Sequence, residues 1–132
     1  MSTKAKKKKT PAANLCWFEI PADNTKRATA FYSALFGWKI SPFPVMPDYS
    51  HIDTGGPEDS PDGAVMARMH PAHTITAYFL VPSATRAMAK VKKLGGRICR
   101  PKTAVPGMGY FAICEDTEKN TFAVWEVNQK AK

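Results

Sequence analysis

A strand-like run, a helix stopped by glycine and several further short strands occur in the same order twice within 132 residues. The first copy opens with Leu15-Cys16-Trp17-Phe18-Glu19-Ile20 and passes through the helical stretch Asn24 to Trp38, where Gly37 is the stop signal. The second opens with Ile75 to Val81, continues through Ser83 to Leu94 and stops at Gly95-Gly96. One such half cannot cover its own sheet face, so the two halves must pack together as a single body. Two curved half-sheets that face each other enclose a cleft, and the cleft is where a site is predicted.

Local signals set the expected boundaries. Asn24 is a good N-cap, Ala28, Phe31, Leu35 and Phe36 recur at helical spacing, and Gly37 closes the helix. Trp38 to Ser41, Tyr49 to Asp53 and Ala64 to Met69 read as strands, with a Gly-, Pro- and Asp-rich loop before the last. In the second half Ser83 caps a helix whose Ala87, Met88, Val91 and Leu94 form the inner stripe. Arg97 to Arg100, Tyr110 to Cys114 and Phe122 to Val127 complete it, with Pro101 to Gly109 read as a loop. The order is βαβββ twice: module 1 at about 14–70 and module 2 at about 74–127, together one domain over 14–127. Residues 1–13 read as a basic tail and 128–132 as a C-terminal tail.

The net charge of +8 suggests nucleic acid until it is located. Lys4 and Lys6 to Lys9 precede the first strand, Lys130 and Lys132 follow the last, and the body between is nearly neutral. It carries no basic stripe, so no specific nucleic-acid partner is expected. No apolar run is long enough to span a bilayer, and Thr10-Pro11-Ala12-Ala13 after the lysines is no signal-peptide core, so no membrane partner is expected either. Cys16, Cys99 and Cys114 lie in strand-like runs and are expected to be buried, reduced thiols of a cytoplasmic protein.

Three words of this sequence resemble the vicinal oxygen chelate superfamily of glyoxalases, bleomycin resistance proteins and dioxygenases. They are Phe31-Tyr32 with Gly37 following, Gly95-Gly96, and Glu115-Asp116-Thr117-Glu118-Lys119-Asn120. The last is similar to the family's Asp-Pro-x-Gly-Asn turn, with Thr117 and Lys119 in place of Pro and Gly. The nearest sub-group is the short, single-domain proteins called predicted lactoylglutathione lyase, which share a Trp-Phe-Glu first strand and a Pro-Gly-x-Gly loop. The resemblance implies an α+β fold: two βαβββ modules forming a curved, mostly antiparallel eight-stranded sheet around a cleft, with two helices outside. It also implies a homodimer. Family enzymes hold one divalent metal through four side chains, and the matching positions here are Trp17, Thr76, Ala123 and one residue within 63–66. None offers a suitable donor, so no cofactor is expected; a divalent metal at an unrecognised site is the alternative.

Alternation places Glu19 on the face of Trp17, where it can act as general base or meet a cationic ligand, or serve only as a hydrogen-bonded rim carboxylate. His51 is the other acid/base candidate, with a structural role as its plainer reading. Trp17, Thr76, Tyr78, Phe111, Ile113 and Trp125 are the candidate ligand-binding residues, with the two indoles expected to face each other across the cleft. The same rings can instead fill the cleft as core. His70-Pro71-Ala72-His73 has metal-like spacing, but Pro71 and the lack of further ligands make it a linker. A small-molecule binding protein is the leading expectation. A lyase, isomerase or dioxygenase-like enzyme and an interaction protein with a filled cleft are the alternatives.

Overall fold

The structure, a computed structural model, describes residues 12–132. The lysines of the expected N-terminal tail lie outside the described residues. Module 1 consists of β1 (Asn14–Ala22), α1 (Thr25–Phe36), β2 (Lys39–Pro42), β3 (Tyr49–Asp53) and β4 (Asp62–Ala67). Module 2 repeats it with β5 (Thr76–Leu80), α2 (Ala84–Lys93), β6 (Arg97–Val105), β7 (Gly109–Glu115) and β8 (Thr121–Val127).

All eight strands form one open sheet in the order β2-β3-β4-β1-β5-β8-β7-β6. Within each module the first and last strands are parallel, β1 with β4 and β5 with β8. Every other pairing is antiparallel, including β1 with β5, the seam between the modules. The expected α+β architecture is therefore the observed one.

Strand alternation divides the sheet into a helix face and an open face. On the helix face, Ile20, Ala22, Ile52 and Val65 form one core with Phe18, Ala28, Tyr32, Trp38 and Ile40. Ala112, Cys114 and Val124 form a second with Val81, Ala87, Met88, Val91, Ile98 and Phe122. Each helix covers its own module. Both start as their sequences require: the side chains of Asn24 and Ser83 accept from the backbone N–H of Arg27 and Arg86, at 2.9 and 3.1 Å. Gly37 ends α1 with φ 71°, a left-handed turn that costs glycine nothing.

Several boundaries differ from expectation. β4 begins two residues earlier, at Asp62, and β6 runs on to Val105 through register shifts beside Arg100. Leu94 does not complete the α2 stripe; it is the C-cap and stands 66% exposed. Cys99 is exposed, although Cys16 is half-buried, Cys114 is buried and all three are free thiols. Burial raises the Cys16 thiol and pushes that of Cys114 up to about 11, which leaves neither a ready thiolate. Residues 128–132 do not trail away: Gly107 N–H donates to Ala131 O at 2.9 Å, and Ala131 is buried. The His70–His73 turn does act as a linker. Its two rings stack at 5.4 Å, and His73 Nδ1 accepts from Met69 N–H at 3.1 Å. Burial, then the charges of His70 and Arg68, hold His73 below the ordinary imidazole range.

Gly63 shows how tightly the module 1 core is fitted. A Cβ there would overlap the Phe18 carbonyl oxygen and stand 2.8 Å from two carbons of its ring. Gly63→Ala is expected to destabilise the fold by about 1–3 kcal/mol, read as a lower urea midpoint with an unchanged slope.

Candidate functional site

Glu19 comes from β1 at the centre of the open face, one residue beyond the Phe18 that faces α1. Its Oε2 accepts from the Tyr49 hydroxyl at 2.6 Å, across module 1, and its Oε1 accepts from the Tyr78 hydroxyl at 2.8 Å, across the seam. Tyr49 Oη in turn accepts from Trp17 Nε1–H at 3.0 Å. One carboxylate thus collects donors from β3 and β5, with an indole behind one of them. Burial first, and then the Glu19 charge, push both tyrosine hydroxyls above the ordinary phenol range. Both remain protonated donors.

His51 lies beside this cluster. Its ring stacks on Trp17 with centroids 5.8 Å apart and planes 3° off parallel. Its Nε2 is 3.1 Å from Asp62 Oδ2, while Asp62 Oδ1 accepts from the backbone N–H and hydroxyl of Thr54. Phe43 closes that side, 5.3 Å from the Tyr49 ring and 5.7 Å from His51. Toward module 2, Tyr78 neighbours Phe111 at 6.3 Å, and the Arg100 guanidinium stands over Phe111 at 5.4 Å.

All eight predicted site residues fall on the open face. Glu19, Trp17, His51 and Tyr78 are brought into one group, and Phe111 adjoins it. Thr76 pairs with Glu19 and is buried, its hydroxyl donating to Thr74 O at 3.0 Å. Ile113 and Trp125 line β7 and β8 on the same face as Phe111, where Phe111 and Trp125 are cross-strand partners. Trp17 and Trp125 keep separate company: Trp17 has Tyr49 and His51, whereas Trp125 packs over Gly109, where any Cβ would stand 2.8 Å from its ring. Tyr49 and Asp62 were missed. Tyr49 is two residues before His51 in the same strand, so alternation alone could have found it. Asp62 follows a Gly-, Pro- and Asp-rich stretch that reads as loop, so alternation does not reach it.

The residues at the four family metal positions do not fit a divalent metal. Trp17 presents an N–H already given to Tyr49, Thr76 gives its hydroxyl to a carbonyl, and Ala123 is a buried methyl. Within 63–66 the side chains on that face are Ala64 and Met66, and Asp62 before them is engaged with His51 and Thr54. Among the described residues no three His, Cys, Asp or Glu side chains converge as a metal site needs. Two open hollows lie elsewhere: one of about 580 Å³ against Phe79 and Phe122 on the helix face, and one of about 570 Å³ beside Asp23 and Arg68. Neither contains a predicted site residue.

Comparison with known proteins agrees with this layout. Residues 14–55 match the family model for the bleomycin resistance protein-like N-terminal region. CFP32, a candidate glyoxylase of Mycobacterium tuberculosis, is 26% identical over 117 residues, covering 83% of this chain and 42% of CFP32. The chain thus spans about two fifths of the length of the curated relatives it matches. A glyoxalase/bleomycin resistance protein/dioxygenase superfamily member from Vibrio splendidus 12B01 superposes with TM-score 0.61 at 10% identity, over 89% of this chain and 100% of that one. Methylmalonyl-CoA epimerase from Streptomyces coelicolor, solved with 2-nitronate-propionyl-CoA, gives TM-score 0.64 at 9% identity, over 90% and 97%. At such identities the two structures speak for the fold alone.

The raised tyrosine hydroxyls are measurable. Of the four tyrosines, two are expected to stay un-ionised in an alkaline titration followed at 295 nm until the protein unfolds, and Tyr49→Phe and Tyr78→Phe should each remove one late titrant. In the unfolded chain both hydroxyls ionise near pH ~10. Their folded values lie higher, so the stability linked to them is present below pH ~10 and is lost as pH rises above it.

Proposed function

We propose that this chain, a member of the glyoxalase/bleomycin resistance protein/dioxygenase superfamily, is a small-molecule binding protein that works without a resident metal. The observation that supports this reading is the chemistry of the open face. The four positions that would carry metal donors hold an indole, an engaged hydroxyl and apolar side chains, while rings from β1, β3, β5 and β7 surround them. Such a surface takes up flat or apolar molecules by burial and stacking. Sequestration or carriage needs nothing more.

The proposal includes a cytoplasmic homodimer. Free thiols suit a reducing compartment. Phe31, Leu35 and Phe36 of α1 stand 59%, 57% and 55% exposed, an apolar strip that a second copy would cover. A lyase-like enzyme, in the manner of lactoylglutathione lyase, is the second reading. The His51–Asp62 contact favours it, because a carboxylate-oriented imidazole beside a binding surface is acid/base equipment.

Purified protein is expected to carry less than roughly 0.1 equivalent of Zn, Ni, Fe or Mn by elemental analysis; stoichiometric metal would overturn the metal-free reading. Aromatic or apolar ligands should quench tryptophan fluorescence, and Trp17→Ala should weaken their binding by about 1–3 kcal/mol. If Trp17→Ala instead costs roughly 3–5 kcal/mol of stability and a broad screen finds no ligand, the rings are core and an interaction protein takes the place of a binding protein.

A further inference from the structure

The geometry points to a ligand that presents a positive charge: we propose that the open face selects flat or apolar molecules bearing an ammonium or guanidinium group, which docks against Glu19 between Trp17, Tyr49 and Tyr78. This rests on the binding reading above and adds the chemical class of the ligand.

The argument starts from hydrogen-bond direction. Trp17 Nε1–H donates to Tyr49, Tyr49 donates to Glu19, and Tyr78 donates to Glu19 from the other side. The donors of Trp17, Tyr49 and Tyr78 are all consumed inward, and His51 Nε2 is engaged with Asp62. What remains for a ligand is the carboxylate's unused lone pairs, a lone pair on Tyr78 and the faces of the rings. All of these attract positive charge and offer nothing to an anion.

Among the described residues Glu19 has no cationic partner. The ion pairs among the described residues are His51–Asp62, Arg68–Asp23 and Arg97–Glu115. A carboxylate set among aromatic rings in this way leaves its counter-charge to be supplied from outside. Charge counted along the chain leans the same way in module 1. Residues 14–70 hold seven Asp and Glu against four Lys and Arg, whereas residues 74–127 hold four against eight. Glu19, Tyr49 and Asp62 all belong to the acidic module.

The competing feature is Arg100. It stands over Phe111 on the module 2 side, and its charge acts on Tyr78. If Arg100 set the preference, the ligand would be an anion docked farther along the same face. The two cases separate with three probes that share one ring system.

Binding of 2-(1-naphthyl)ethylamine, 1-naphthaleneethanol and 1-naphthylacetate is measured by calorimetry at low salt and neutral pH. The amine is expected to bind about tenfold or more tighter than the alcohol, with the acetate weakest. Glu19→Gln, checked for folding by its melting transition, should bring the amine-to-alcohol ratio close to one. A wild-type protein that binds amine and alcohol equally overturns the charge preference while leaving the binding function intact. So does one that prefers the acetate and loses that preference on Arg100→Gln. Failure of all three probes on wild-type protein overturns the binding reading itself. Wild-type selectivity decides the matter even if Glu19→Gln does not fold.

Discussion

Where β1 runs antiparallel to β5, the first strand of each module is laid against the other, with Trp17 opposite Tyr78 and Glu19 opposite Thr76. That register makes a single site possible. Shifting it by one residue would send Glu19 to the helix face and Phe18 into the open. The helix faces of the two modules guard it from both sides. Phe18, Ile20 and Ala22 on β1 pack with Tyr32 and Trp38, while Val124 on β8 packs with Ala87, Met88 and Val91 of α2. Because each module has its own core, the seam itself is held chiefly by backbone pairing and by Tyr78 reaching across to Glu19. The polar cluster is therefore part of what joins the modules, as well as what a ligand would meet.

Elements with signals at both ends could be read directly from the chain. The Asn24 cap and the Gly37 stop frame α1, and alternation in Tyr49 to Asp53 defines β3 to the residue. Signals that depend on neighbours misled. Asp62-Gly63 resembles a turn, yet Gly63 sits in β4 because Phe18 from the next strand lies over it and needs the missing side chain. Pro101 and Gly107 suggested a loop, but β6 is the edge strand, where a proline costs no ladder partner on its outer side. Leu94 matched the helical period and still lies outside, since the helix ends beneath it.

The site was legible in part for the same reason. Trp17 and Glu19 share one strand, and period two places them on one face without further knowledge. The partners of Glu19 stand 30 and 59 residues away, and only the sheet order brings β3 and β5 to either side of β1. No local pattern carries that information. The Asp116 turn is an intermediate case. Asp116 Oδ1 accepts from the N–H groups of Glu118 and Asn120, and Lys119 takes φ 68°, so the turn keeps the left-handed step where the family has glycine. The hydrogen bonds of Asp116 hold that shape with a lysine at the left-handed position.

Trp17 limits which chemistry its position on the open face can support. At a position where a metal-binding relative would present a lone pair, the indole presents an N–H, and it can only donate. That N–H orients the Tyr49 hydroxyl toward Glu19, so the carboxylate becomes the terminus of a donor chain. A metal ligand needs its lone pairs directed to one point in the cleft, free of competing protons. Here the protons all run toward Glu19, and His51 is held by Asp62 against the far side of the indole. The cluster is a closed chain of hydrogen bonds in which the indole orients one tyrosine and two tyrosines hold one carboxylate.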